Sequence, residues 1–144
     1  MLDPKRDVLV QKAAYGPKNP MDQTILLPID IPVGRGITGT VAQTQVAEII
    51  GHTQRAPRHT VHAVRRYSEI TVPIIMDGQT IGVIDSEHSQ KHFFTQKHLN
   101  LLNTIAVLSA NQIQRIRAED EKQKAQIEVL QNKQKATESR LQSL

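Results

Sequence analysis

The densest run of side chains able to hold a ligand lies between Gly51 and Tyr67. Arg55, Arg58, Arg65 and Arg66 stand there with His52, His59 and His62, and no acid occurs between Glu48 and Glu69. Guanidinium forks match carboxylates and phosphates, so the run fits a small anionic ligand; as a plain charge run it fits a solvated loop or short helix. His59, His62, His88, His92 and His98 raise the question of zinc. Their spacing shows no convergence, so they read as surface histidines and no metal is expected. Asp85-Ser86-Glu87-His88 contains the letters of a hydrolase relay, but consecutive residues of a strand point to opposite faces and cannot form one. Gly34-Arg35-Gly36-Ile37-Thr38-Gly39 has the spacing of a dinucleotide fingerprint. Pro28 and Pro32 spoil the strand before it and no acid stands about 20 positions further on, so these glycines read as a tight turn into a short helix. The absence of cysteine removes thiol nucleophiles, disulfides, thiolate metal sites and thioether-linked chromophores. No catalytic constellation survives, and the expectation is that the chain is not an enzyme.

The elements that must position these residues centre on 67–87. Two β-branched runs flank Asp77-Gly78, a dipeptide suited to the positive φ angles of a two-residue hairpin turn. Counting outward from that turn pairs Met76 with Gln79, Ile74 with Ile81 and Val72 with Val83 on one face. Ile75 with Thr80, Pro73 with Gly82 and Thr71 with Ile84 fall on the other. The Val72 face is uniformly apolar and suits a helix, whereas the Thr71 face mixes Glu69, Thr71 and Ser86 with apolar residues and suits a small ligand. The expected pocket lining is therefore Tyr67, Ser68, Thr71 and Ile84 with the segment carrying Arg58, Arg65 and Arg66. Asp7 to Tyr15 reads as a strand, Ile25 to Val33 as extended, Ile37 to Thr44 as a helix and Gln45 to Ile50 as a strand. Thr95 is a candidate N-cap for a helix that meets no Gly or Pro before Leu144.

The totals allow one globule plus an appendage: 144 residues, 38% apolar and 22% charged. No apolar run approaches the roughly 20 residues that span a bilayer, and the first residues lack the apolar core of a signal peptide, so the expected location is the cytoplasm. A net charge of +4 invites a nucleic-acid partner. Acids and bases are interspersed over most of the chain and only two Tyr and two Phe are present to stack on bases, so none is expected.

Ser68-Glu-Ile-Thr-Val-Pro-Ile-Ile75, Asp77-Gly78 and Ile81-Gly-Val-Ile-Asp-Ser-Glu87, preceded by Ile31-Pro-Val-Gly-Arg-Gly-Ile-Thr-Gly-Thr-Val41 and Ala13-Ala-Tyr-Gly16, resemble the GAF domain, a regulatory module that binds small molecules. The resemblance covers roughly residues 2 to 116, is nearest to bacterial signalling GAF domains, and implies an α+β fold. Its expected form is an antiparallel sheet of about five strands with helices, in a sensor domain at 1–116 followed by a coiled-coil helix at 117–144. The family's N-terminal helix and first strand are expected to be missing apart from Leu2-Asp3. The resemblance also implies that the basic run forms the lid of the ligand pocket, although Ala56-Pro-Arg-His59 departs twice from the family's Asp-Pro-Arg-Tyr. Haem, bilin and cyclic-nucleotide motifs are not matched, and the GAF-like methionine sulfoxide reductases work through cysteines. The implied function is a sensor that binds a small molecule and signals through a dimeric coil to an output kinase, cyclase or transcription domain. The alternative is a ligand-free dimerisation module with a collapsed pocket.

The dimer is expected from the heptads of the last helix. With Leu99 at a, Ile113, Ile127 and Leu141 fall at a, and Ile116, Leu130 and Leu144 at d. A parallel, in-register homodimer would set Glu119 against Lys124′ and Lys133 against Glu138′, both attractive.

Overall fold

The computed structural model describes residues 1–16, 29–56 and 66–143. They fall into two units, Met1–Ala110 and Asn111–Leu144. The first has six strands among its described residues, arranged as two antiparallel three-stranded sheets. One sheet holds β1 (Leu2–Asp3), β2 (Val8–Val10) and β3 (Asp30–Pro32) in that order; the other holds β4 (Glu48–Ile50), β5 (Ser68–Met76) and β6 (Gln79–His88). The expected α+β class is thus observed, with the strands shared between two sheets. Leu2 pairs with Leu9, so β2 has a neighbour on each side, and the sheets approach each other where Met1 lies over Gly82.

Helix α1 spans Gly36–Thr44. Gly36 takes φ +67°, and a Cβ at Gly39 would meet the Pro32 carbonyl oxygen at 2.3 Å. The glycine spacing therefore serves a tight turn and a close helix-to-strand approach, as expected. Gln45 adopts a left-handed conformation and donates its N–H to Val41 O, which ends the helix. The strand expected from Gln45 onward consequently starts only at Glu48.

The β5–β6 hairpin turns on Asp77 and Gly78, both with positive φ, and its first two pairs, Met76 with Gln79 and Ile75 with Thr80, are those the sequence predicts. Beyond them the register differs. Ile74 faces Gly82, which leaves Ile81 as an extra residue in β6, a β-bulge. Every later pair shifts by one: Pro73 with Val83, Val72 with Ile84, Thr71 with Asp85 and Glu69 with Glu87. Ile84 was expected beside Thr71; the bulge moves it to the Val72 side and brings Asp85 to Thr71.

Val72, Ile74, Ala106 and Ala110 form a buried cluster, with Ile81, Ile84, Leu99 and Leu102 packed around it. The two alanines come from helix α2 (Gln96–Gln142), which confirms a helix over the Val72 face. Small residues at the contact let the helix lie close, and each buried Val or Ile there contributes about 1.5–3 kcal/mol. At the turn end of the opposite face Thr80 Oγ1 donates to Ala42 O at 2.8 Å and anchors α1. The Thr95 N–H, at the start of α2, donates to His98 Nδ1 at 3.0 Å.

Residues 111–142 continue as helix, and almost every described side chain of the second unit is exposed, including Ile116, Ile127, Leu130 and Leu141. No helix among the described residues is long and apolar enough to cross a membrane.

Candidate ligand-binding site

Alternation along β5 puts Glu69 and Thr71 on the face opposite Val72. The pairings of β4 and β6 then fill that face with acids: Glu48 and Asp85 flank Thr71, and Glu87 lies across from Glu69. Thr71 is fully buried and Glu69 is only 4% exposed. Thr71 Oγ1 donates to Asp85 Oδ1 at 2.5 Å and stands 3.5 Å from Glu69 Oε1. One hydroxyl carries one proton, so the short contact uses it; the longer one suits a Glu69 that is itself protonated.

The electrostatics agree with that. Burial, reinforced by the charges of Glu87 and Glu48, pushes the Glu69 carboxyl up to about 7. Desolvation, followed by the neighbouring Glu69 charge, holds Asp85 well above the ordinary carboxylate range. Asp85 is nonetheless accessible to solvent. Two carboxyls sharing one threonine and reluctant to ionise are disposed to receive a cationic group, because a positive charge would stabilise their ionised forms.

The residues expected to line a pocket are only partly brought together. Thr71 is at the centre of the acidic face. Ser68 is buried but committed, its Oγ donating to Gln90 O at 2.7 Å. Tyr67 is half-buried, with Lys91 Nζ 5.7 Å from its ring centroid and His52 edge-on at 6.5 Å. The Arg66 carbonyl accepts from Thr53 Oγ1 at 2.7 Å, which ties 66–67 to the short 3-10 turn Thr53–Arg55. Ile84 packs with the Val72 cluster on the other side of the sheet. Arg58 and Arg65 lie outside the described residues, as do His59 and His62. Among the described residues no three His, Asp or Glu side chains converge in a way that would hold a metal ion.

Sequence reasoning placed Glu69 on this face but missed Asp85, Glu48 and Glu87. The available signal was Gly82 inside a strand, which marks a bulge or close backbone approach, and it would have carried Asp85 across the sheet.

The family model for the GAF domain matches residues 1–114, and the chain belongs to that family. Over 86 residues it is 36% identical to the free methionine-R-sulfoxide reductase of Saccharomyces cerevisiae, covering 54% of this chain and 47% of that protein. Over 68 residues it is 34% identical to protein YtsP of Bacillus subtilis, covering 47% of this chain and 42% of that protein. The chain thus spans a little under half the length of these two relatives. Among solved structures it resembles the free methionine-R-sulfoxide reductase of Neisseria meningitidis in complex with its substrate, with a TM-score of 0.56 and 25% identity over 73% of this chain and 60% of that one. These likenesses correct the expectation that the chain is not an enzyme: its relatives in sequence and in structure include enzymes.

Proposed function

We propose that this GAF domain binds a free amino acid of the methionine sulfoxide class, with the ligand's ammonium group received at Glu69, Thr71 and Asp85. The observation that carries this reading is the pair of carboxyls, both held above their ordinary pKa, on either side of one buried hydroxyl. An ammonium ion donates to both, lowers both pKa values and relieves their mutual repulsion. The likeness to two free methionine-R-sulfoxide reductases supports the ligand class. The carboxylate of such a zwitterion calls for a cation, and the sequence supplies Arg58, Arg65 and Arg66 immediately before β5.

Reduction of a sulfoxide to a thioether consumes two electrons and two protons and releases water. These 144 residues contain no thiol, so turnover here would draw its electrons from a dithiol outside them, which would leave as the disulfide.

Isothermal titration of the protein with L-methionine-(R)-sulfoxide, its S epimer and methionine tests the reading, with dithiothreitol added in a parallel assay for methionine formation. Saturable binding is expected, weakened at least tenfold by Asp85→Asn and by Glu69→Gln. Absence of binding to all three compounds at millimolar concentration would overturn it.

Helix α2 favours a regulatory consequence of binding, because Leu99 to Ala110 pack on β5 and β6, the strands that carry the acids. A ligand that prefers one arrangement of those strands biases the helix, and with it an output domain. Hydrogen exchange in residues 99–110 is expected to slow when ligand is bound; unchanged exchange at saturation would remove the regulatory reading and leave the binding reading intact.

A further inference from the structure

In the second unit, the apolar a and d residues come in pairs separated by polar pairs: Ile113 and Ile116, then Asp120 and Gln123, then Ile127 and Leu130, then Gln134 and Thr137, then Leu141 and Leu144. Ile116, Ile127, Leu130 and Leu141 are each more than half exposed. A polar helix that leaves such a stripe exposed is marginal by itself.

The order of layers reads the same in both directions about the midpoint between Glu128 and Val129. Turned end to end, a second copy sets Ile113 against Leu144′, Ile116 against Leu141′ and Ile127 against Leu130′. Its polar layers also match, Gln123 with Gln134′ and Asp120 with Thr137′. A parallel pair matches the same layers but forces Asp120 against Asp120′, two like charges in one core layer. The reversed pair sets Asp120 beside the neutral Thr137′, whose hydroxyl donates to the Lys133 carbonyl of its own helix at 3.0 Å, so no like charges share that layer.

The flanking charges fit both directions in number and differ in kind. In the reversed pair, e residues meet e′ and g residues meet g′, which sets Arg117 against Glu138′ and Glu119 against Arg140′, with Lys124 and Gln126 facing the neutral or complementary partners Gln131′ and Lys133′. The parallel pair draws on Lys124, which Asp120 of the same chain holds at 2.7 Å. The reversed pair draws on Glu119 and Glu138, which Arg115 and Gln134 of the same chain approach at 3.9 and 3.2 Å, so the core layer of Asp120 decides between them. Antiparallel helices also oppose their macrodipoles favourably.

We propose that residues 113–144 pair with the same residues of a second copy of this chain in an antiparallel coiled coil centred on Ile127 and Leu130. The pairing is independent of whether the first unit binds an amino acid.

The chain has no native cysteine, so single labels can be placed on the outer face of the coil at Ala118→Cys and Ser139→Cys, leaving the a and d layers intact. In the antiparallel dimer the two Ser139→Cys labels are offset along the axis by about 30 Å at 1.5 Å per residue, giving a separation of roughly 35–40 Å across helices about 10 Å apart. Mixing Ala118→Cys with Ser139→Cys chains brings unlike labels level, at roughly 20–25 Å. Pulsed electron paramagnetic resonance is expected to show the long distance in the first sample and the short one in the second. The reverse assignment would establish the parallel register and overturn the proposal, as would a monomer by light scattering of the unlabelled chain at micromolar concentration. Arg117→Glu supplies a second check, expected to weaken the dimer at least fivefold because it faces Glu138′; no weakening would also count against the antiparallel arrangement.

Discussion

The two faces of the β5–β6 hairpin are built from the same strands and have opposite chemistry. On one, Val72 and Ile74 meet Ala106 and Ala110, and nothing polar needs a partner. On the other, Glu48, Glu69, Asp85 and Glu87 surround Thr71, and burial raises the pKa of at least two of them. Apolar burial stabilises the fold whatever the solvent pH, whereas buried acids oppose folding once they ionise. The first face accordingly holds the domain together, and the second carries unfavourable charge that a suitable ligand would relieve. A binding site is where a protein keeps such a cost standing.

The contrast can be broken most forcefully from the apolar side. Ile74→Ala is expected to destabilise the domain by about 2–5 kcal/mol through lost burial and a residual cavity, read as a lower midpoint in urea unfolding at constant slope. An unchanged midpoint would mean that α2 does not depend on this cluster.

Asp85→Asn acts in the other direction. It keeps an acceptor for Thr71 and removes a group that resists ionisation, so the ligand-free variant should melt higher than the parent at pH 8 while binding the amino acid more weakly. Equal melting temperatures at pH 8 would show that Asp85 is comfortable as an anion.

The pH dependence sharpens the comparison further. Glu69 in the folded protein holds its proton up to about pH 7, while in the unfolded chain it ionises near 4.3. Between those values the folded state binds more protons, so the Glu69 contribution, with Asp85 acting in the same sense, falls as pH rises from about 4.5 to 7. Ligand affinity should run the opposite way, increasing through pH 7 as the carboxyl ionises. Thermal melts and titrations at pH 5.5 and 7.5 check both slopes, and parallel slopes would contradict the assignment of the ammonium to this face.

The smallest effect belongs to the second unit, where Asp120→Asn should change dimer dissociation by no more than about threefold in an antiparallel coil, a change below about 1 kcal/mol. A large tightening would reveal two Asp120 residues facing each other.

Much of the frame was legible in the residues. Asp77-Gly78 announces its turn because few other pairs accept two positive φ angles, and the unbroken Val72 stripe announces a helix because nothing polar interrupts it. Gly34, Gly36 and Gly39 could be separated from a dinucleotide site by what flanks them. The acidic face was harder to read, since Glu48, Thr71 and Asp85 meet only through strand pairing across long stretches of chain. The bulge at Ile81 hid it further: the extra residue is as apolar and β-branched as its neighbours, and only Gly82 hinted at a break in phase. The enzymatic relatives were illegible for a different reason, because absent cysteines argue about a mechanism and not about kinship. In the last helix, charge pairs supported a parallel dimer, but a layer order that is its own reverse supports the opposite direction as well.

The extra residue in β6 makes the site a matter of register. No point substitution at Ile81 changes which side of the sheet Asp85 occupies, since the bulge persists with any side chain that tolerates the bend. Losing Ile81 itself would leave simple pairing from the turn onward, with Gly82 still opposite Ile74 and Asp85 still opposite Thr71, so the acids would keep their face and the strand would lose only its bend. The position of the candidate binding chemistry is therefore encoded in where β6 re-enters its pairing with β5: only a hairpin that took Ile81 into the ladder, opposite Ile74, would turn Asp85 and Glu87 toward Ala106 and Ala110.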